Sequence, residues 1–169
     1  MRAAVRVIDA ITEWVGKTAR WFTVVLVLVM AYGVIKRFAF NAPELWPYEV
    51  AIMLGAAVWI LGLSYVHRYD GHVRVDVIYA HLSPRLRGII DVVGSLLSFF
   101  PIFILLVYAS ANWAWDAWAT DERMAETGWY PPVAPLRTVV MLGFFFFALQ
   151  GVAQLVRALH LLRRSKPYD

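Results

Sequence analysis

The stretch "VVGSLLSFFPIFILLVYASANWAW", residues 92–115, contains 24 residues and no Asp, Glu, Lys, Arg or His. An α-helix rises about 1.5 Å per residue, so a helix of this length can cross the hydrocarbon core of a lipid bilayer, which is about 30 Å thick. The stretch is apolar on all sides, as is typical of a helix surrounded by lipid. It therefore predicts a transmembrane helix.

Three further runs also lack ionisable residues. They are 15, 17 and 19 residues long: Trp21–Ile35, Val50–Val66 and Thr138–Val156. The run Thr138–Val156 is long enough to cross the bilayer as it stands. The run Val50–Val66 is long enough if its helix begins at Pro47, and Trp21–Ile35 is long enough if Lys17 and Arg20 snorkel to the lipid headgroups. We predict an all-α integral membrane protein, a single domain with four transmembrane helices at about 17–37, 47–67, 88–116 and 136–158.

Two alternatives fit the sequence less well. A soluble all-α protein needs polar helices to cover its apolar ones, and a chain that is 61% hydrophobic and 17% charged leaves none for this purpose. A cleaved signal peptide in place of the first span needs a small residue three positions before a cut at Ala42, and Phe40 stands there instead.

Lysine and arginine are distributed unevenly among the segments that join the spans. The two tails and the connection at 67–91 carry 12 of the 16, and the two other connections carry 4. Basic loops stay in the cytoplasm, so we predict that both termini are cytoplasmic and that residues 117–135 form an outer loop. The net charge of +4 then faces anionic lipid, and nucleic acid is not an expected partner because no nucleic-acid-binding signature accompanies the charge.

The basic connection between the second and third spans predicts an amphipathic helix lying flat on the membrane surface, at about 72–83. On a helical wheel its apolar residues share one arc, while its arginines lie elsewhere on the circumference. The expected contacts with lipid or a protein partner are Arg74, Val75, Asp76, Ile78, Leu82, Arg85, Leu86 and Arg87. Ser83 and Pro84 then predict an N-cap and the first turn of a new helix that runs into the third span. A short strand, since "VRVDV" alternates, and a basic loop that only sets topology are the alternatives.

The spans offer little chemistry of their own. None has an ionisable residue away from its ends, whereas an ion-coupled carrier needs such groups near the bilayer midplane. We interpret four polar residues as helix-packing contacts: Ser95, Ser98, Gln150 and Gln154. His67 and His160 could be considered as ligands of a haem, but both lie close to the loops, whereas haem ligands usually lie deeper in the membrane. His72 and Asp76 could be considered as ligands of a metal ion, but a third ligand is missing. We therefore predict no cofactor, no metal site and no enzyme activity, and the chain has no cysteine for thiolate chemistry.

The run "GHVRVDVIY", residues 71–79, followed by "LSPRLRGIIDVVGSLL", residues 82–97, resembles the small membrane subunit, DctQ type, of tripartite ATP-independent periplasmic (TRAP) transporters. The resemblance extends through "LGAAVWILGLSYVHR" at 54–68 and "GFFFFALQGVAQLVRAL" at 143–159. The residues that carry the signature are Glu49, Gly71, His72, Val73, Arg74, Val75 and Asp76.

The resemblance implies a scaffold subunit in a bacterial or archaeal inner membrane. Such a subunit braces a large DctM-type membrane subunit during cation-coupled uptake of a small organic solute, often a carboxylate, which a periplasmic DctP-type binding protein delivers. Sodium is then expected on the large subunit and not on this chain, and phospholipids are further expected partners. The alternative is a self-sufficient four-helix membrane protein: a homo-oligomeric carrier, or a haem- or quinone-binding protein.

Topology also indicates where the binding protein would dock. Among the charged residues predicted on the outer side are Glu44, Asp121, Glu122, Arg123 and Glu126. We expect these residues to be candidates for contact with the binding protein.

The flat helix can be tested by replacing Ile78 or Leu82 with aspartate. Because a buried carboxylate opposes seating in lipid, we expect loss of complex assembly or transport without loss of membrane insertion. Uptake by a reconstituted complex, with insertion checked by membrane fractionation, measures this. Unchanged uptake would contradict the prediction.

Overall fold

The computed structural model describes residues 2–69 and 82–164. Its helices are α1 (Arg2–Phe38), α2 (Trp46–Arg68), α3 (Pro84–Gly94), α4 (Phe100–Ala119) and α5 (Ala134–Arg164). Four segments are long and apolar enough to cross a membrane: Ala3–Phe38, Trp46–Arg68, Arg85–Ala119 and Ala134–Leu162. The prediction of an all-α protein with four membrane-spanning helices is therefore confirmed, and the chain is a multi-pass membrane protein.

The helix expected at 72–83 falls almost entirely on residues 70–81, which lie outside the described residues. The same holds for most of the residues assigned to it and to the signature: Gly71, His72, Val73, Arg74, Val75, Asp76 and Ile78. Four of its expected contacts are described. Leu82 and Arg87 are half-buried, and Arg85 and Leu86 are exposed.

Helix α3 begins as the sequence predicts. Ser83 is its N-cap, with an extended backbone, and its hydroxyl accepts a hydrogen bond of 3.4 Å from the backbone N–H of Leu86, while Pro84 occupies the first turn. Proline suits this position because its missing N–H would have no partner there anyway. The prediction of a new helix at Pro84 is confirmed.

Helices α3 and α4 are joined by a π-helical turn, Ser95–Phe99, and form one continuous rod, hereafter the α3–α4 rod. The backbone N–H of Phe100 donates to the carbonyl of Ser95, five residues back. Pro101 follows immediately and has no N–H to continue the ordinary ladder, and single π-helical turns are a known cause of helix bends. The residue pair Phe100–Pro101 thus marks the irregular point of the rod.

The helices α1, α2 and α5 and the α3–α4 rod pack side by side, hereafter the array, and α5 is its central element. It packs against α2, α3 and α4, and more lightly against α1, while α1 packs chiefly against α2. In the described part of the chain, α1 and the α3–α4 rod therefore lie at opposite edges. Large apolar side chains at these edges are exposed, among them Leu28 on α1 and Leu97 and Ile104 on the rod. A water-soluble protein rarely leaves so large an apolar surface open, but a bilayer covers it.

Helix α1 is longer than the predicted first span at 17–37. Its early turns bury Val5, Thr12, Val15 and Ala19, which lie seven, three and four residues apart and so share one face of an amphipathic helix. The charged N-terminal segment before the first predicted span, which the sequence predicts as a tail, is thus the first part of a packed helix.

Two glycines on α5 allow close helix packing. A Cβ atom on Gly143 would lie 2.5 Å from Cγ1 of Ile60 and 3.0 Å from its backbone oxygen, so α2 and α5 touch there with no room for a side chain. A Cβ atom on Gly151 would lie 2.1 Å from the ring of Phe99. Small residues at such contacts are typical of membrane helix interfaces.

We expect Gly143→Ala to destabilise the protein by about 1–3 kcal/mol, because the methyl group forces α2 and α5 apart. Thermal unfolding in detergent, followed by circular dichroism, measures the effect. Gly55→Ala is the matched control, since a Cβ atom on Gly55 meets nothing within 4 Å. Equal unfolding temperatures for the two variants would show that the close contact is absent.

Candidate functional site

Residues 120–133 join α4 to α5 and fold into a compact structure, hereafter the cap. The N–H of Met124 donates to the carbonyl of Pro131 over 2.8 Å, and the N–H of Val133 donates to the carbonyl of Glu122 over 3.0 Å. Arg123 and Pro132 form an isolated antiparallel bridge. The segment that the sequence predicts as an outer loop thus has its own backbone hydrogen bonds.

The first anchor of the cap is Arg137, in the first turns of α5. Only 7% of this residue is exposed, and its guanidinium forms a two-point ion pair with Glu122, with Nη1 2.6 Å from Oε2. Nη1 also donates to the carbonyl of Trp113 at 3.3 Å, and the guanidinium carbon lies 4.2 Å from the centroid of the Trp113 ring. Planar two-point pairing and stacking on an aromatic face are both specific to arginine. This residue therefore locks the base of the cap to α4 and α5.

The second anchor is Glu49, in the first turn of α2. Its exposed fraction is 0%, and its Oε1 accepts hydrogen bonds from both the backbone N–H of Thr127, at 2.7 Å, and the hydroxyl of Thr127. Its other oxygen, Oε2, is buried and has no hydrogen-bond partner. The carboxylate joins two residues 78 positions apart in sequence and holds the tip of the cap against α2.

A third polar cluster joins the end of α1 to the start of α2. The carboxylate of Glu44 lies 3.0 Å from Nζ of Lys36 and accepts hydrogen bonds from the Tyr32 hydroxyl and the Trp46 indole. The Lys36 ammonium lowers the pKa of Glu44, and the two neutral donors act in the same direction. Glu44 therefore stays ionised at neutral pH and fixes the turn between the two helices.

The structure divides the five residues predicted to contact a binding protein into two groups. Glu44 and Glu122 are engaged within the chain, as described above. Asp121 and Arg123 pair with each other at 2.8 Å and are 75% and 53% exposed, and Glu126 is exposed as well. Charge reversal at Glu122 would thus break an anchor of the cap, whereas Asp121 and Glu126 can be changed without that effect.

The opposite end of the array holds a second set of buried polar contacts, hereafter the Gln150 network. Gln150 is fully buried in α5, accepts a hydrogen bond of 2.9 Å from the Thr12 hydroxyl, and donates to Asp9 at 3.1 Å. Asp9 also forms an ion pair with Arg157. These contacts tie the early turns of α1 to α5.

Arg68 extends the Gln150 network to α2. Its Nη1 lies 2.7 Å from the backbone oxygen of Asp9 and 2.6 Å from the carboxylate of Glu13, which also pairs with Lys17. The side-chain amide of Gln154 donates to the carbonyl of His67 at 3.0 Å. The Gln150 network therefore joins α1, α2 and α5 through charged and polar groups.

The remaining predicted polar residues lie elsewhere. Ser95 is half-buried and Ser98 is exposed, both in the π-helical turn. The imidazole of His67 stacks on Phe99, with ring centroids 5.3 Å apart, and contacts Phe147. Within residues 2–69 and 82–164, no three His, Asp or Glu side chains are grouped so that they could hold a metal ion.

Several residues of these networks were not singled out from the sequence: Asp9, Thr12, Glu13, Thr127 and Arg157. Their partners are distant in sequence, for example 148 positions for Asp9 and Arg157. The local signal available was the apolar stripe along residues 5–19, which indicates a helix but not its partner.

Four helices that are long and apolar enough to cross a membrane, with ion pairs between separate elements, indicate an integral membrane protein. Comparison with known proteins identifies the class. The chain matches the family described as "Tripartite ATP-independent periplasmic transporters, DctQ component" over residues 26–161. It therefore belongs to this family and is the small membrane subunit of a TRAP transporter.

A curated relative agrees with this assignment. The chain is 28% identical over 99 residues to the sialic acid TRAP transporter permease protein SiaT of Haemophilus influenzae (strain 86-028NP). The matched segment covers 59% of this chain and 16% of that relative, so the relative is a much longer protein.

The first anchor can be tested with Arg137→Ala, Glu122→Gln and the double variant. We expect each single change to lower the free energy of unfolding by about 2 kcal/mol, because it removes the buried Arg137 guanidinium or leaves that guanidinium without its carboxylate partner. The double variant should lose less than the sum, as measured by thermal unfolding in detergent. Arg123→Ala, whose ion pair is exposed, is the control and should cause no measurable loss. Additive losses would show that the two side chains do not interact.

Proposed function

We propose that this chain is the static scaffold of its transporter. In this proposal a large DctM-type membrane subunit moves the solute, and the small subunit gives that subunit a fixed frame in the bilayer. The observation that supports this best is the pairing of charges within the chain. Arg137, which is buried, pairs with the half-buried Glu122 at one end, and the half-buried Asp9 and Arg157 pair at the other, so that each pair joins separate elements of this chain. Groups used in this way stiffen the array and are not free to carry an ion.

The proposal includes the orientation that the positive-inside rule indicates. Both termini and the arginine-rich connection then lie in the cytoplasm, and the cap faces the periplasm. We propose that Arg74, Arg85 and Arg87 then bind lipid phosphates or the large subunit, and that the apolar residues between them contact lipid.

The exposed apolar edges fit a subunit that is covered by lipid and by a second membrane protein. Val27 and Leu28 on α1 are 60% and 64% exposed, and Leu97 on the α3–α4 rod is 76% exposed. Packing of such faces against another set of membrane helices relies on van der Waals contact. We propose that one of these edges meets the large subunit.

The transported solute and the coupling ion are also part of the proposal. The relative is named for sialic acid, which supports a small organic acid as the solute of this complex. We propose that a DctP-type binding protein delivers the solute, that sodium binds to the large subunit, and that this chain needs no cofactor.

Reconstitution tests the proposed function. The small subunit alone, the large subunit alone and both together are placed in liposomes with an inward sodium gradient, and uptake of labelled solute is measured with and without binding protein. We expect uptake only when both subunits and the binding protein are present, and co-purification of the two subunits in stable proportion. Sodium-driven uptake by the small subunit alone would refute the proposal and favour a self-sufficient carrier.

A further inference from the structure

Glu49 is the polar residue whose surroundings are hardest to explain by a contribution to stability. It is completely buried, yet only one of its two carboxylate oxygens accepts hydrogen bonds, and Oε2 is buried without a partner. A buried carboxylate with unmet hydrogen-bonding capacity costs free energy compared with an apolar residue of similar size. We therefore interpret Glu49 as a residue that fixes the position of the group it binds, rather than as one that contributes to stability.

The group that Glu49 binds is the tip of the cap. Both donors come from Thr127, one from the backbone and one from the side chain, and both reach the same oxygen. Two donors on one residue fix both its location and the direction of its backbone. The Thr127 hydroxyl also accepts a hydrogen bond of 3.2 Å from the N–H of Trp129, which carries this constraint two residues further.

Three large side chains close to Thr127 in the sequence are exposed. Glu126 is exposed, and Trp129 and Tyr130 are 46% and 56% exposed. Tyr130 has a φ of 51°, a left-handed conformation that is costly for a large side chain and persists only where surrounding contacts hold it. Glu126, Trp129 and Tyr130 form the exposed tip of the cap, hereafter the tip surface.

We infer that the tip surface docks the soluble binding protein and that Glu49 is its positioning residue. This inference rests on the proposed function, because it takes the cap to face the periplasm. Tryptophan and tyrosine are enriched where soluble proteins meet, since each buries a large apolar area at little cost in side-chain entropy, and a carboxylate beside them adds charge selectivity. The tip surface therefore fits a folded protein with a basic rim around an apolar depression.

The geometry also explains why this role falls to α2. Arg137 holds the base of the cap to α4 and α5 through Glu122 and the carbonyl of Trp113. The Thr127–Glu49 contact adds a second point of attachment on a different helix. With two points fixed, the tip surface keeps one orientation before the binding protein arrives, which lowers the entropy lost on docking.

The test compares Thr127→Val with Thr127→Ser in the complete reconstituted complex, with uptake measured against binding-protein concentration. Valine keeps the shape of the side chain and removes the hydroxyl, while serine retains it. We expect valine to raise the half-saturating concentration of binding protein about tenfold, the change expected when hydrogen bonds of ordinary strength are lost, and to leave the maximal rate and subunit co-purification unchanged. Serine should restore the wild-type value.

Glu49→Gln and Glu49→Leu provide the matched pair on the other side of the contact. Glutamine keeps an oxygen acceptor and should stay within about twofold of wild type. Leucine removes both hydrogen bonds from Thr127, whereas Thr127→Val removes only the one from the hydroxyl, so leucine should raise the half-saturating concentration at least as much as Thr127→Val. Ser64→Ala is the control, because Ser64 is also fully buried on α2 but donates only to Leu61 in its own helix. It should leave the half-saturating concentration unchanged.

A second readout follows the tip surface directly. The chain has no cysteine, so Glu126→Cys gives a single site for a membrane-impermeant maleimide. We expect the labelling rate to change when Thr127→Val is added and to stay the same when Thr127→Ser is added.

Three results would overturn the inference. An unchanged half-saturating concentration in Thr127→Val would show that the tip surface does not dock the binding protein. Loss of co-purification in Thr127→Val would show that the cap contacts the large subunit instead. A lower maximal rate with no change in the half-saturating concentration would place the effect on transport. Wild-type uptake that needs no binding protein is a different result, and it would remove the proposed function itself.

Discussion

The structure depends on one constraint: a charged group within a membrane protein must find its partner inside the protein. A lone charge near hydrocarbon is costly, and water is not available to compensate. Here Asp9 meets Arg157 and Gln150, and Arg68 meets Glu13, where three helices converge. Since each pairing joins different helices, satisfying the charges also fixes how the helices sit against each other.

The same constraint accounts for the order at the other end of the array. The cap contains several polar and charged residues, and its two anchors, Arg137 and Glu49, are buried side chains on α5 and α2. Between the two ends, contact is made by apolar side chains and glycines, such as Gly143 against Ile60. The array is thus joined by polar groups at its ends and packed by apolar groups in its middle, and this arrangement supports the scaffold role proposed above.

The sequence predicts much of the fold because the bilayer imposes a simple rule on length and polarity. Four apolar runs give four helices, and Ser83–Pro84 marks the start of α3 because capping is a local interaction. The early half of α1 was not predicted, since a charged leader with Asp9 and Glu13 looks like a solvated tail until its distant partners are known. Thr127 gave no local signal at all. Glu49 was noted only through resemblance, and its partner lies 78 residues away.

The central claim is that this subunit keeps its shape while the transporter works. Pulsed electron resonance can measure this with spin labels at Leu28→Cys on α1 and Ile104→Cys on the α3–α4 rod, which lie at the two exposed edges of the array in a chain without other cysteines. We predict the same distance distribution in the complex with and without sodium and solute, while a label pair between this subunit and the large subunit changes. A shift of several ångströms within the small subunit would contradict the account.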